Sequence, residues 1–137
     1  MVKLFAYGTL RPGGSLKRSL LSAYLEPAEH AMAHGHLFHH AGSTDLNPSY
    51  PVADFSIMDG SVIHGDVLTV DVDNFQVQRT TDMEVRAGYQ TIETEVTLDS
   101  GEKIKAIAFH YPYKERGARI IDGDWMPFEL VESRWFR

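Results

Sequence analysis

The chain contains no cysteine. Disulfides, thiol nucleophiles and cysteine-ligated zinc are excluded together, and a cytoplasmic location is the natural expectation. No apolar run is long enough to span a bilayer, so no membrane partner is expected. The first residues, "MVKLFAYGTL", lack the charged segment followed by an apolar stretch that marks a secretory signal. Basic residues are few: 13 Lys and Arg against 19 Asp and Glu leave a formal charge of −6. Nonspecific nucleic-acid binding rests on a basic surface, so no nucleic-acid partner is expected. Internal repeats and low-complexity segments are missing as well. So are the two common phosphate-binding signatures. No lysine-serine or lysine-threonine pair follows the glycines, and G-x-G-x-x-G does not occur.

What is there is ordinary globular material: 137 residues, 43% hydrophobic and 11% aromatic. That suffices for one domain over residues 1–137 with a single core. "VKLFAY" (2–7) reads as a strand. Residues 10–14 form a loop, because Pro12, Gly13 and Gly14 suit neither helix nor regular strand. Ser15 is placed to cap a helix with Leu16, Leu20 and Leu21 on one face and Lys17 and Arg18 on the other, ended by Pro27. "EHAMAHGHLF" (29–38) alternates like a strand, with Ala31, Ala33, Gly35 and Leu37 on one face and four polar or sulfur-bearing side chains on the other.

The stretch 42–51 is a loop by composition, and "VIHGDVLTV" (62–70) is a strand. Asp71 to Asp73 are expected to cap a helix over about residues 74–85, although "QVQRTTDME" is a mediocre helix former. "YQTIETEVTL" and "EKIKAIAFHY" joined by "DSG" make a hairpin, and the tail "IIDGDWMPF" carries a turn. Consecutive strands without crossover helices argue for an α+β fold, a small mixed or antiparallel barrel-like sheet with flanking helices. A doubly wound parallel sheet fits poorly.

Chemistry concentrates in "FAYGTLRPGG". Gly8, directly after a strand, allows the backbone to approach a ligand closely. Successive amides in such a loop can form a concave donor site for a carboxylate or an oxyanion. The plainer reading is that these glycines only make turns. A second concentration is histidine: His30, His34, His36, His39 and His40 crowd one short stretch. On one strand, His34 and His36 would point the same way and could share a metal. No H-E-x-x-H motif is present, however, and a half-exposed face carrying several histidines is the plainer account.

"FAYGTLRPG" resembles the N-terminal motif of the gamma-glutamylcyclotransferase-like family, in the branch written Y-G-T-L, that of the gamma-glutamylamine cyclotransferases. "YPV" (50–52), "VIHGDVLTVD" (62–71), "DMEVRAGYQ" (82–90), "GEKIKAIAFHY" and "IIDGDW" are similar to the family's further segments, in the family's order. The chain departs from the pattern in the lead-in "QRTT" and in carrying Val85 after Glu84.

The resemblance implies a small mixed α/β barrel-like fold. Its cavity would hold a γ-glutamyl group, with Tyr7, Gly8, Thr9 and Leu10 binding the substrate largely through backbone N–H groups. It further implies an intramolecular reaction in which an α-amine attacks its own γ-carbonyl, leaving 5-oxoproline and a free amine. That chemistry needs neither metal nor nucleotide cofactor. Glu84 stands where the family has its catalytic glutamate, as general acid and base, and a helical lead-in would put Val77, Thr80 or Thr81 and Glu84 on one face. Tyr89 is a second substrate contact or a strand-start aromatic. Arg11 is a guide for an anionic ligand or an exposed loop residue, Asp82 a second carboxylate or a solvated one, and Trp125 a packing anchor. Two alternatives stay open: a non-catalytic small-ligand-binding module on the same fold, and a metal-dependent hydrolase using the His30–His40 cluster.

Overall fold

The computed structural model describes residues 1–8, 25–40, 50–112 and 117–125. The helix expected after Ser15 and the loop that precedes it lie outside the described residues. Hydrophobic alternation at the N-terminus forms β1 (Val2–Ala6), which runs antiparallel to β5 (Val62–Val70) with Val2 opposite Val70 and Ala6 opposite Asp66. The other edge of β5 pairs with β2 (Glu29–His34), again antiparallel. Strand β2 continues the ladder to β6 (Gln90–Leu98), and β6 forms the expected hairpin with β7 (Lys103–His110). The circle closes where Leu4 of β1 meets Ile107 of β7 in parallel, giving a barrel of order β1-β5-β2-β6-β7.

A five-stranded barrel has a narrow bore, and the sequence fills it by mixing sizes. Ala31, Ala33, Ala106 and Ala108 leave room for Phe5, Ile63 and Trp125, all buried in one cluster. The Ala31/Ala33 face is therefore the inner face, as the alternation requires. On the outside, Leu4, Ala6, Leu68 and Val70 make a second cluster with Val77 of α1 (Phe75–Arg86), the one helix among the described residues. No helix among them is long and apolar enough to cross a membrane.

Three local expectations need correction. The helix cap is Asn74, not Asp71 to Asp73: its side chain accepts from the N–H groups of Gln76 (2.8 Å) and Val77 (3.3 Å). Asp71 is spent one turn earlier, accepting from Asp73 N–H at 3.0 Å. The loop expected through Pro51 gives way to a strand, β4 (Tyr50–Asp54), in which Val52 and Ala53 are fully buried. Finally, the strand expected over 29–38 is two strands. Gly35 breaks it, and β3 (His36–His40) leaves the barrel to form a second sheet of order β4-β3-β8 with β8 (Ala118–Ile120).

The break has a steric cause. Gly35 takes φ +150°, its N–H donates to the Ser61 carbonyl at 3.1 Å, and a β-carbon there would lie 2.5 Å from the Asp54 carbonyl oxygen. Backbone is the obstacle, so no side-chain rotation relieves it. Gly35→Ala is expected to lower stability by at least about 2 kcal/mol, read as a denaturation midpoint shift with unchanged m-value.

Candidate active site

The ends of β1 and β7 come together because those strands close the barrel in parallel. The Tyr7 hydroxyl donates to the Phe109 carbonyl at 2.6 Å, crossing 102 positions of sequence. Tyr7 lies among aromatic rings, 5.7 Å from Phe55 and 6.4 Å from Phe5 between centroids. Gly8 follows against Pro51 of β4: a β-carbon at position 8 would collide with the proline Cγ. The glycine of the first motif is thus required by the proline of the second. Thr9, Leu10 and Arg11 lie outside the described residues.

Helix α1 reaches the same place through its C-terminus. The Tyr89 N–H donates to the Glu84 carbonyl and the Gly88 N–H to the Val85 carbonyl, both at 3.1 Å. With Gly88 at φ +104°, this is a Schellman cap, which satisfies carbonyls the helix would leave open. The cap also fixes Glu84 and Tyr89 relative to each other, because they are the two ends of its longer hydrogen bond. Only the glycine at 88 lets the chain turn from helix into β6 within that span. Thr81 and Val77, on the face that carries Glu84, are half-buried and buried, so the expected inward face is observed.

Tyr89 is itself buried. Its hydroxyl donates to the Pro51 carbonyl, and its ring meets Phe109 and Tyr111 edge-on at 6.5 and 5.5 Å. Tyr111 is tied to β4 by an N–H bond of 2.8 Å to the Ala53 carbonyl. Tyr7, Gly8, Glu84 and Tyr89 are thereby brought together. Asp82 is exposed on the far side of α1, and Trp125 is a buried packing anchor stacked on His39 at 5.0 Å. Sequence reasoning passed over the Pro51 and Phe109 carbonyls, since backbone acceptors carry no residue signature. It also passed over Tyr111, whose only signal was its place at the end of a strand leading into the site.

Burial dominates the electrostatics. The Glu84 carboxyl is pushed up to about 7 by desolvation. Tyr7 is raised well above its usual value by burial first, then by the neighbouring Tyr89 and Glu84. It is therefore a neutral donor throughout the working range. A carboxyl that titrates near neutrality beside the neutral Tyr7 phenol can take up and return a proton at ordinary pH.

His30 and His36 of the 30–40 stretch do not converge on each other. His36 Nε2 is 2.8 Å from Asp59 on one sheet, and His30 Nδ1 is 2.7 Å from Asp99 on the other. Among the described residues, no three His, Asp or Glu side chains gather in a group able to hold a metal.

A profile of the family described as gamma-glutamyl cyclotransferase, AIG2-like, matches residues 4–127. No curated protein matches the chain. Among solved structures, an uncharacterised protein of Pyrococcus horikoshii is 25% identical, with a TM-score of 0.65 over 98% of both chains. A gamma-glutamyl cyclotransferase is 20% identical, with a TM-score of 0.60 over 86% of this chain and 69% of that one. An AIG2-like protein of Mus musculus is 21% identical, with a TM-score of 0.52 over 85% of this chain and 87% of that one. The last two share the fold.

The raised Glu84 carboxyl makes a stability prediction. The folded state holds this proton more tightly than the unfolded chain, so stability falls as pH rises from about 4.5 to about 7. Glu84→Gln removes that loss. It should stabilise the protein by on the order of 2–3 kcal/mol at pH 8 and by little at pH 4, measured by denaturant unfolding at both.

Proposed function

The chain belongs to the gamma-glutamyl cyclotransferase, AIG2-like family, and from that premise we propose that it converts a γ-glutamyl amine or γ-glutamyl-amino compound to 5-oxoproline and the free amine. The observation that carries the reading is Glu84, a carboxyl pushed up to about 7 by burial and held by the helix cap beside Tyr89.

The reaction needs a group of that kind. The substrate's α-ammonium, with a pKa of roughly 7.7–8.0, must lose a proton before its nitrogen attacks the γ-carbonyl carbon. The Glu84 carboxylate takes that proton. Attack forms the new C–N bond of the five-membered ring and puts negative charge on the γ-oxygen. Glu84 then gives the proton to the departing nitrogen as the original C–N bond breaks. The ring nitrogen, left positively charged by the attack, sheds its second proton to the same carboxylate, which passes it to the released amine. Two protons thus move from the α-nitrogen to the departing nitrogen, which leaves as an ammonium, and no water is consumed.

The rest is positioning. Tyr7, Gly8, Thr9 and Leu10 supply the substrate loop, whose backbone amides bind the α-carboxylate and stabilise the oxyanion. Gly8 against Pro51 sets where that loop begins. Tyr7, anchored to the Phe109 carbonyl, and Tyr89, anchored to the Pro51 carbonyl, form rigid walls that hold the γ-glutamyl chain bent. Bending it for ring closure is proximity catalysis, worth several kcal/mol in favourable cases.

The experiment is release of 5-oxoproline from a panel of γ-glutamyl amines and dipeptides by the wild type and Glu84→Gln. Wild type is expected to release it, with kcat/KM rising as pH increases through about 7. The variant should lose roughly 10²–10⁴-fold. Equal release by both would remove Glu84 from the mechanism. No release from any substrate, with 5-oxoproline still binding, would favour the ligand-binding module.

A further inference from the structure

The outer face of the barrel holds a histidine pair that the reaction above does not use. His30 of β2 and His64 of β5 are diagonal neighbours on the ladder in which His30 faces Asp66 and Met32 faces His64. His30 Nε2 and His64 Nδ1 lie 3.4 Å apart, with ring centroids at 5.5 Å and planes inclined by 27°. From the other side, Asp99, in the turn between β6 and β7, approaches His30 Nδ1 at 2.7 Å.

Each distance has a chemical reading. The carboxylate accepts the Nδ1–H of His30, which fixes the tautomer and turns the Nε2 lone pair toward His64. The gap between the two facing nitrogens is longer than a good hydrogen bond. It equals the separation set by a shared ion: two nitrogens about 2.0–2.1 Å from one tetrahedral centre lie about 3.4 Å apart. The carboxylate–imidazole arrangement is also the one that supports metal-bound histidine elsewhere, raising its basicity and holding its ring. Asp66, opposite His30, adds negative charge on the same face.

We propose that His30 and His64 bind a divalent transition-metal ion of the zinc, nickel or copper class, with Asp99 as the orienting carboxylate and water in the remaining positions. Two protein nitrogens without a third gathered side chain make an open and exchangeable site rather than a buried structural one. Imidazole nitrogen selects these borderline ions over calcium or magnesium, which prefer oxygen. None of His30, His64 and Asp99 takes part in the reaction proposed above, so the site would hold its ion whether or not the cyclotransferase reading is correct.

The test is calorimetric titration of zinc chloride into untagged, chelator-treated full chain at pH 7.5. One ion per chain is expected. His30→Ala and His64→Ala should each weaken binding by more than tenfold, and Asp99→Asn by roughly tenfold. Thermal unfolding without metal establishes that each variant is folded; His30→Gln and His64→Gln replace any that is not. A rise in melting temperature with zinc should be largest in wild type, smaller in Asp99→Asn and smaller still in the two histidine variants. No saturable binding, or binding unchanged in both histidine variants, overturns the proposal.

Discussion

Parallel contact between β1 and β7 is the constraint on which the site depends. Four of the five barrel contacts are antiparallel ladders, which place side chains but leave the sheet open. The fifth joins Leu4 to Ile107 and brings Tyr7 within reach of the Phe109 carbonyl. Every other feature of the site is hung from that junction. Pro51 packs on Gly8, Tyr89 reaches Pro51, and the capped end of α1 carries Glu84 to the same rim. The segments most similar to the family pattern are thus the pieces that touch at one end of the barrel.

Glu84 shows what that assembly costs. Placing a carboxyl where water is scarce disfavours its charged form, and a chain selected for stability alone would put a neutral side chain there. The surrounding structure tolerates it because the rigid parts are apolar or already satisfied: both tyrosine hydroxyls have carbonyl partners, and the helix end has its cap. The weak helix propensity of "QRTT" matters little under those conditions. Asn74 at one end and Gly88 at the other hold the helix by its termini.

Much of this was legible in the residues. β5, the hairpin of β6 and β7, and the inward alanines of β2 follow from period-two alternation, and α1 differs from its expected span by about one residue at either end. The misses share a cause. Gly35 sits within an unbroken alternation, so nothing local signals that the strand changes sheets; the obstacle is the Asp54 carbonyl, a tertiary neighbour. β4 opens on a residue pair that includes proline, and β8 adjoins Asp122 and Gly123, so turn chemistry hid both strands. At the site, Glu84 came from resemblance, since a glutamate on a mediocre helix is commonly solvated. The capping bond that fixes it beside Tyr89 could have been read from Gly88 alone.

The closing contact also has a meaning for how the molecule is made. A ribosome delivers β1 first and β7 more than a hundred residues later. Among the described residues, one edge of β1 pairs with β5 and the other meets β7, so that second edge lacks this partner until β7 leaves the exit tunnel. Barrel closure is therefore a late, long-range event with a large loop to order. The rim that carries Tyr7, Glu84 and Tyr89 is therefore complete only after the last barrel strand is delivered.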